Sequence, residues 1–227
     1  MALRLSTLLS YLVPVMVPLA LIGIALRVLL TPLYYSLEYN MPYFPADEYG
    51  FTKEDRLKWA PFAVGYLINN EDISYLGDLR FDDGTPLFND RELNHMEDVK
   101  KVILGFLRVW YLSLALLSIL AIIAWRTECI LEYLSGLRRG GWWMIGLAIS
   151  LGLIAGVGIL LNPDIFWQFF TGFHKLFFEG NSWLFYYSDT LIRLFPIRFW
   201  QDAILAMAVI ALGGGLGLAL GLRRFGA

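Results

Sequence analysis

Four long apolar stretches dominate the chain. Residues 8–30, 102–125, 142–161 and 203–222 are apolar almost throughout, and the only charges inside them are Arg27 and Arg108. A helix rises about 1.5 Å per residue, so about 20 apolar residues cross the roughly 30 Å hydrocarbon layer of a bilayer. Each stretch meets that length, and together they predict four transmembrane helices. Pro14 and Pro18 lie in the first, where neighbouring helices and water can satisfy the freed carbonyls. This stretch exceeds the apolar region of a signal peptide and no small-residue cleavage site precedes Arg27, so it reads as a retained helix.

The polar stretches carry their own signals. In residues 31–101, Thr52-Lys53-Glu54-Asp55 is a capped helix start. Asp82-Asp83-Gly84-Thr85 is a turn signal that predicts a short hairpin over 79–88. Asn89-Asp90-Arg91-Glu92 is a second capping-box pattern. From Asp90 no breaker appears before the second apolar stretch, apart from the mid-span Gly105, so one helix should run from Asp90 into the membrane. In residues 162–202, Asn162-Pro163-Asp164 predicts a helix start and Gly180 its end, after about Glu179. Half of the 22 residues from Phe166 to Tyr187 are aromatic, which predicts an interfacial helix, with a groove for acyl chains as the sharper reading. The fold class is therefore an all-α membrane protein: four transmembrane helices topped by a small extracytoplasmic domain of helices and the short hairpin.

Composition agrees. Of 227 residues, 58% are hydrophobic and 17% charged, against about 25% charged in soluble domains. A net charge of -2 without a basic block gives no footprint for nucleic acid. The single cysteine, Cys129, and the two histidines are too few for a disulfide framework or a cysteine- or histidine-only metal site. We expect no metal and no cofactor. Charge also predicts orientation. Arg4, Arg126, Arg138, Arg139, Arg223 and Arg224 flank the spans in three short segments that hold only two acids, Glu128 and Glu132. Basic residues favour the cytoplasmic side. Both termini and the loop 126–141 are thus expected inside the plasma membrane. Residues 31–101 and 162–202, with 10 basic and 18 acidic side chains, are expected outside.

Candidate chemistry then falls on the outer face. His95 and His174 are the two histidines, one in each outer segment. His95 lies seven residues before Val102, about 10 Å above the hydrocarbon edge on a straight helix. Asp98, three residues on, shares its helical face and can orient the imidazole. His174 lies among aromatics. Alone each reads as a surface or packing residue; as a pair they can serve as base and acid. Arg108 is a candidate phosphate or carbonyl ligand, although it can also snorkel to the interface. Asp189 and Arg193, at i and i+4, read as a surface ion pair. The glycines 213–215, 217 and 221 predict close helix packing. No serine-nucleophile elbow and no His-Glu-x-x-His is present.

Two blocks resemble one family. Arg91-Glu92-Leu93-Asn94-His95-Met96-Glu97-Asp98-Val99-Lys100 is similar to its first signature. Phe170-Thr171-Gly172-Phe173-His174, Asn181-Ser182-Trp183, and Asp189-Thr190-Leu191-Ile192-Arg193-Leu194-Phe195-Pro196 are similar to its second. The family is that of the bacterial lipoprotein intramolecular transacylases and their relatives of unassigned function. The resemblance covers nearly the whole chain. It departs after His174, where the family more often has Asn-Asp-x-Trp and this chain has Gly180-Asn181-Ser182-Trp183. The resemblance implies an acyltransferase that moves the sn-2 acyl chain of a diacylglyceryl lipoprotein to its own N-terminal cysteine amine. It also implies His95 and His174 as the catalytic pair, a lipoprotein substrate and membrane lipid as partners. Asn181, Trp183 and Asp189 fall in its second block. In such a reaction Asp98 would orient His95, and Asn181 or Arg108 would stabilise the oxyanion. Nucleophile and ester share one molecule, so no protein nucleophile is needed. Two other readings stand beside it: another membrane lipid acyltransferase or hydrolase using the same pair, and a non-enzymatic membrane scaffold.

Overall fold

The computed structural model describes residues 2–162, 164–180 and 182–225. Its helices, in chain order, are α1 (Ala2–Leu29), α2 (Pro32–Tyr39), α3 (Lys53–Tyr66), α4 (Ser74–Gly77), α5 (Asp90–Arg126), α6 (Ile130–Leu161), α7 (Ile165–Phe177), α8 (Thr190–Leu194) and α9 (Ile197–Gly221), followed by a 3₁₀ turn at Arg223–Phe225. No strand occurs among the described residues. Four helices are long and apolar enough to cross a membrane, over Leu5–Leu29, Asp90–Arg126, Ile130–Gly158 and Ile197–Gly221. In α5 the apolar part begins at Val102; the preceding turns carry Asp90, Arg91, Glu92, Glu97, Asp98, Lys100 and Lys101 and are too charged to belong to the apolar span. The chain divides into two compact units.

One unit comprises Met1–Leu26, Leu107–Pro163 and Leu205–Ala227. Leu9, Val13, Val17 and Ala20 form one stripe of α1, and with Leu117, Leu120 and Ala124 of α5, plus Cys129 and Tyr133, they make its core. Small residues set the spacing. A Cβ on Gly140 would come within 2.5 Å of Val17 Cβ and 3.0 Å of the Pro14 carbonyl, so α6 lies directly on the α1 backbone. Gly141 and Gly215 do the same for α6 and α9, each Cβ position lying 2.7–3.0 Å from the other's carbonyl oxygen. Of the glycines in α9, then, Gly214 and Gly215 serve packing, whereas Gly213, Gly217 and Gly221 face open space. The Trp110 indole lies over Gly23 and donates to the Ala20 carbonyl at 3.0 Å. The link expected over 126–141 is shorter: helix resumes at Ile130, after a turn in which Glu128 adopts φ 61°. Ile130, Tyr133, Leu134 and Leu137 pack on the same core, and this burial draws the segment into helix.

The other unit comprises Arg27–Phe106 and Asp164–Ile204. The Thr52 hydroxyl accepts the Asp55 N–H at 3.1 Å and the Asp55 carboxylate accepts the Thr52 N–H at 2.8 Å, the reciprocal box that starts α3. The hairpin expected over 79–88 shrinks to a turn closed by one bridge between Arg80 and Pro86, with Gly84 at φ 85°. Phe81 N–H donates to the Thr85 carbonyl at 2.9 Å and Leu87 N–H to the Leu79 carbonyl at 3.0 Å, and the pairing goes no further. Long-range anchors close the unit. Tyr39 donates to the Leu194 carbonyl at 2.9 Å, and the buried Arg56 donates to the carbonyls of Arg193 at 2.9 Å and Pro45 at 2.7 Å. Arg193 reaches the Asp47 carboxylate at 3.1 Å and lies 3.6 Å over the Phe51 ring.

Candidate active site

The start of α5 is built as an anchor. Asn89 caps the helix: its side-chain oxygen accepts the Arg91 and Glu92 N–H groups, both at 3.1 Å. Glu92 is buried and returns the bond from one oxygen to the Asn89 N–H at 2.8 Å. Its other oxygen accepts the Leu191 N–H at 2.7 Å. Thr190 donates to the Leu87 carbonyl at 2.6 Å. Asp189 takes the Arg91 guanidinium at 2.8 Å, the Asn89 amide at 3.2 Å and the Tyr186 N–H at 2.8 Å. The segment 186–191 is thereby fastened to the first turn of α5. The ion pair expected between Asp189 and Arg193 is not the one formed. Asp189 turns to Arg91 and Arg193 to Asp47, because each finds a partner deeper in the fold than a helical neighbour offers.

One turn beyond Arg91, His95 points into aromatic surroundings. Its ring centroid is 5.9 Å from that of His174, with the planes inclined by 23°. Phe178 and Phe185 meet His95 edge-on at 4.9 and 5.2 Å. Phe170 and Trp183 lie 4.1 and 5.1 Å from the His174 ring. His95 is 7% exposed. Its Nδ1 is buried and meets no hydrogen-bond partner. His174 Nδ1 lies 2.7 Å from the Phe170 carbonyl oxygen. A carbonyl only accepts, so Nδ1 carries the proton and the neutral ring presents its lone pair at Nε2.

Burial pushes the His95 pKa down to about 4; the neighbouring His174 adds to this and the Asp98 charge opposes it. Burial also lowers the pKa of His174, against the hydrogen bond to Phe170. Both rings are neutral at neutral pH. Between pH 6.5 and about 4, the unfolded chain takes up a proton at residue 95 that the folded chain refuses, so acidification costs stability. His95→Gln removes that component. Its thermal midpoint should fall less than that of the unsubstituted protein between pH 7 and pH 5, as scanning fluorimetry in detergent would show.

The other expected residues are distributed unevenly. Asp98 is half-exposed and its carboxylate accepts from Lys101 at 3.1 Å. It acts on His95 through its field rather than through an orienting hydrogen bond. Arg108 is exposed and belongs to the first unit described above. Asn181 lies outside the described residues. Trp183 is buried beside His174. Sequence reasoning did not single out Glu92 or Arg91 as site anchors, nor Phe178 and Phe185 as walls. The capping-box spacing marked Glu92, but nothing in the spacing revealed its second acceptor bond. Among the described residues no three His, Cys, Asp or Glu side chains converge as metal ligands would.

Four apolar helices define a multi-pass membrane protein, and in an aromatic enclosure the buried His95 faces the partly buried His174. Comparison with known proteins gives the class a family. The model of the family "Lipoprotein intramolecular transacylase Lit" matches residues 11–200. An uncharacterized protein of Aquifex aeolicus (strain VF5) is 31% identical over 204 residues, 90% of this chain and 88% of that protein. The fold is that of the membrane integral lipoprotein intramolecular transacylase Lit from Bacillus cereus, with TM-score 0.77 and 21% identity over 98% of this chain and 96% of that one. A histidine-to-alanine variant of the same enzyme superposes with TM-score 0.70, covering 98% and 94%. The chain belongs to the lipoprotein intramolecular transacylase family, and it is an enzyme of the transacylase class.

Proposed function

We propose that this enzyme moves the sn-2 acyl chain of a diacylglyceryl lipoprotein to the α-amine of the same lipoprotein's N-terminal cysteine. His95 and His174 are the proton-transfer pair. The amine nitrogen attacks the ester carbonyl carbon and His174 Nε2 takes the proton that the nitrogen sheds. The carbon–oxygen bond to the glycerol breaks and an amide forms. The proton returns through His95 to the sn-2 oxygen, which leaves as a hydroxyl, and both imidazoles end neutral. Acid–base catalysis of this kind contributes about 10²–10⁴-fold. Amine and ester arrive on one molecule, so proximity supplies much of the remainder.

The observation that carries this reading is the pairing itself: two neutral imidazoles 5.9 Å apart, one with its lone pair fixed at Nε2 by the Phe170 carbonyl. The aromatic wall keeps water from the ester, and the exposed Trp167, Phe169, Phe173 and Phe177 of α7 offer an apolar surface for acyl chains and membrane lipid. We infer further, from the excess of Lys and Arg in the short flanking segments, that both termini face the cytoplasm and the histidine pair the outside. The test is expression in a bacterium whose lipoproteins are diacylated, followed by mass spectrometry of one lipoprotein's N-terminal peptide. The expected product carries an acyl group on the cysteine amine and a monoacyl glycerol on the thioether, at unchanged total mass. An unchanged diacylglyceryl peptide, with the protein inserted in the membrane, would overturn the reading.

A further inference from the structure

The histidine pair supplies proton transfer but leaves one requirement of acyl transfer open. When the amine adds, the carbonyl oxygen gains a full negative charge, and in an apolar enclosure that charge needs a hydrogen-bond donor already in position. Buried donors in folded proteins are almost always paired, because an unpaired one loses its water without a replacement. Among the described residues, six buried side-chain polar atoms have no partner, and three of them belong to this region: Arg91 Nε, His95 Nδ1 and Trp183 Nε1. Unpaired donors concentrated beside one histidine pair point to a ligand that completes them.

We propose that the Trp183 indole N–H holds the reacting carbonyl oxygen of the substrate and stabilises the charge it gains. This rests on the transacylase reading above. Trp183 is 7% exposed, and its ring lies 5.1 Å from the His174 imidazole, the base of the pair. Its Nε1 is buried without a partner, so an oxygen at ~2.9 Å from it would complete a donor on the ring beside the imidazole proposed to take the amine's proton. The indole N–H is a donor only and does not titrate, so it never competes for the proton in transit. Of the other two atoms, Arg91 Nε belongs to a guanidinium already engaged by Asp189 and lying 4.8 Å over Tyr186. His95 is committed to returning the proton. The neighbouring Ser182 hydroxyl is turned away to the Glu179 carbonyl at 3.3 Å.

The decisive comparison removes the N–H and keeps the ring. The full chain is prepared with Trp183→Phe and, separately, with benzothienylalanine at position 183, in which sulfur replaces the N–H of an otherwise equal bicycle. Turnover of a synthetic diacylglyceryl lipopeptide is followed by mass spectrometry. We expect kcat to fall by about 10²-fold or more in both, as for loss of one oxyanion donor, with KM within about twofold and an unchanged thermal midpoint for the benzothienyl protein. A phosphonate replacing the sn-2 ester should bind more weakly to both by a similar factor. A benzothienyl protein that turns over and binds the phosphonate like the unsubstituted enzyme overturns the assignment while transacylation stands. An unsubstituted enzyme that leaves the lipopeptide unchanged overturns the functional reading and this assignment with it.

Discussion

His174→Asn should lower acyl transfer by about 10²–10⁴-fold, the contribution expected of a positioned base. The asparagine amide can still donate to the Phe170 carbonyl, now met by Nδ1 at 2.7 Å, but it brings no basic nitrogen. The loss should therefore appear in the rate and not in the fold, since α7 contains no fully buried residue. His95→Ala should match it in direction, with a larger effect on stability because His95 is buried between Phe178 and Phe185. The measurement is the single-turnover rate on a diacylglyceryl lipopeptide, beside the thermal midpoint in detergent. Unaltered turnover in either variant refutes the pair.

Glu92→Ala should destabilise the protein by about 2–4 kcal/mol, the sum for one buried and one partly buried N–H group left without an acceptor. Those groups are the N–H of Asn89 at 2.8 Å and of Leu191 at 2.7 Å. Glu92→Gln keeps one acceptor oxygen and should lose about half as much. Burial raises the Glu92 pKa to about 7 even against the two N–H bonds that favour its ionised form. The folded chain thus holds this proton more tightly than the unfolded one. Its contribution declines as pH rises from 4.5 to about 7, opposite in sign to that of His95. Thermal unfolding of the three proteins at pH 7 checks the order; an alanine variant as stable as the unsubstituted chain would show that Glu92 is no anchor. Acyl transfer should fall with stability, since Glu92 and Asp189 together secure the segment that follows Trp183.

Hydropathy made the four long helices legible, and capping patterns marked the starts of α3 and α5. Thr52 with Asp55 and Asn89 with Glu92 are local patterns in which side chain and backbone lie within one turn, so spacing alone reveals them. The hairpin is shorter than expected because an Asp-Gly turn specifies a reversal but not a ladder, and the pairing is one bridge long. The candidate site was legible as two histidines on the two polar segments between the long helices. Their approach, and the partners of Asp189 and Arg193, were not. Those contacts join residues 79 to 146 positions apart, where helical spacing carries no information and burial decides which charge meets which. Asp98 illustrates the limit: i+3 spacing put it on the right face, yet Lys101 takes its carboxylate.

The bonds that fasten the two halves of the site span 98, 99 and 103 residues, from Arg91 to Asp189, Glu92 to Leu191 and Leu87 to Thr190. A ribosome adds about 5–20 residues per second. His95 and Glu92 therefore wait roughly 5–20 s for their partners while the nascent chain emerges. On the proposed mechanism the newborn chain is inert throughout that interval, because His95 and His174 have yet to meet. On that reading maturation awaits delivery of the later segment, and a chain arrested after α6 is expected to occupy the membrane without acyl-transfer activity.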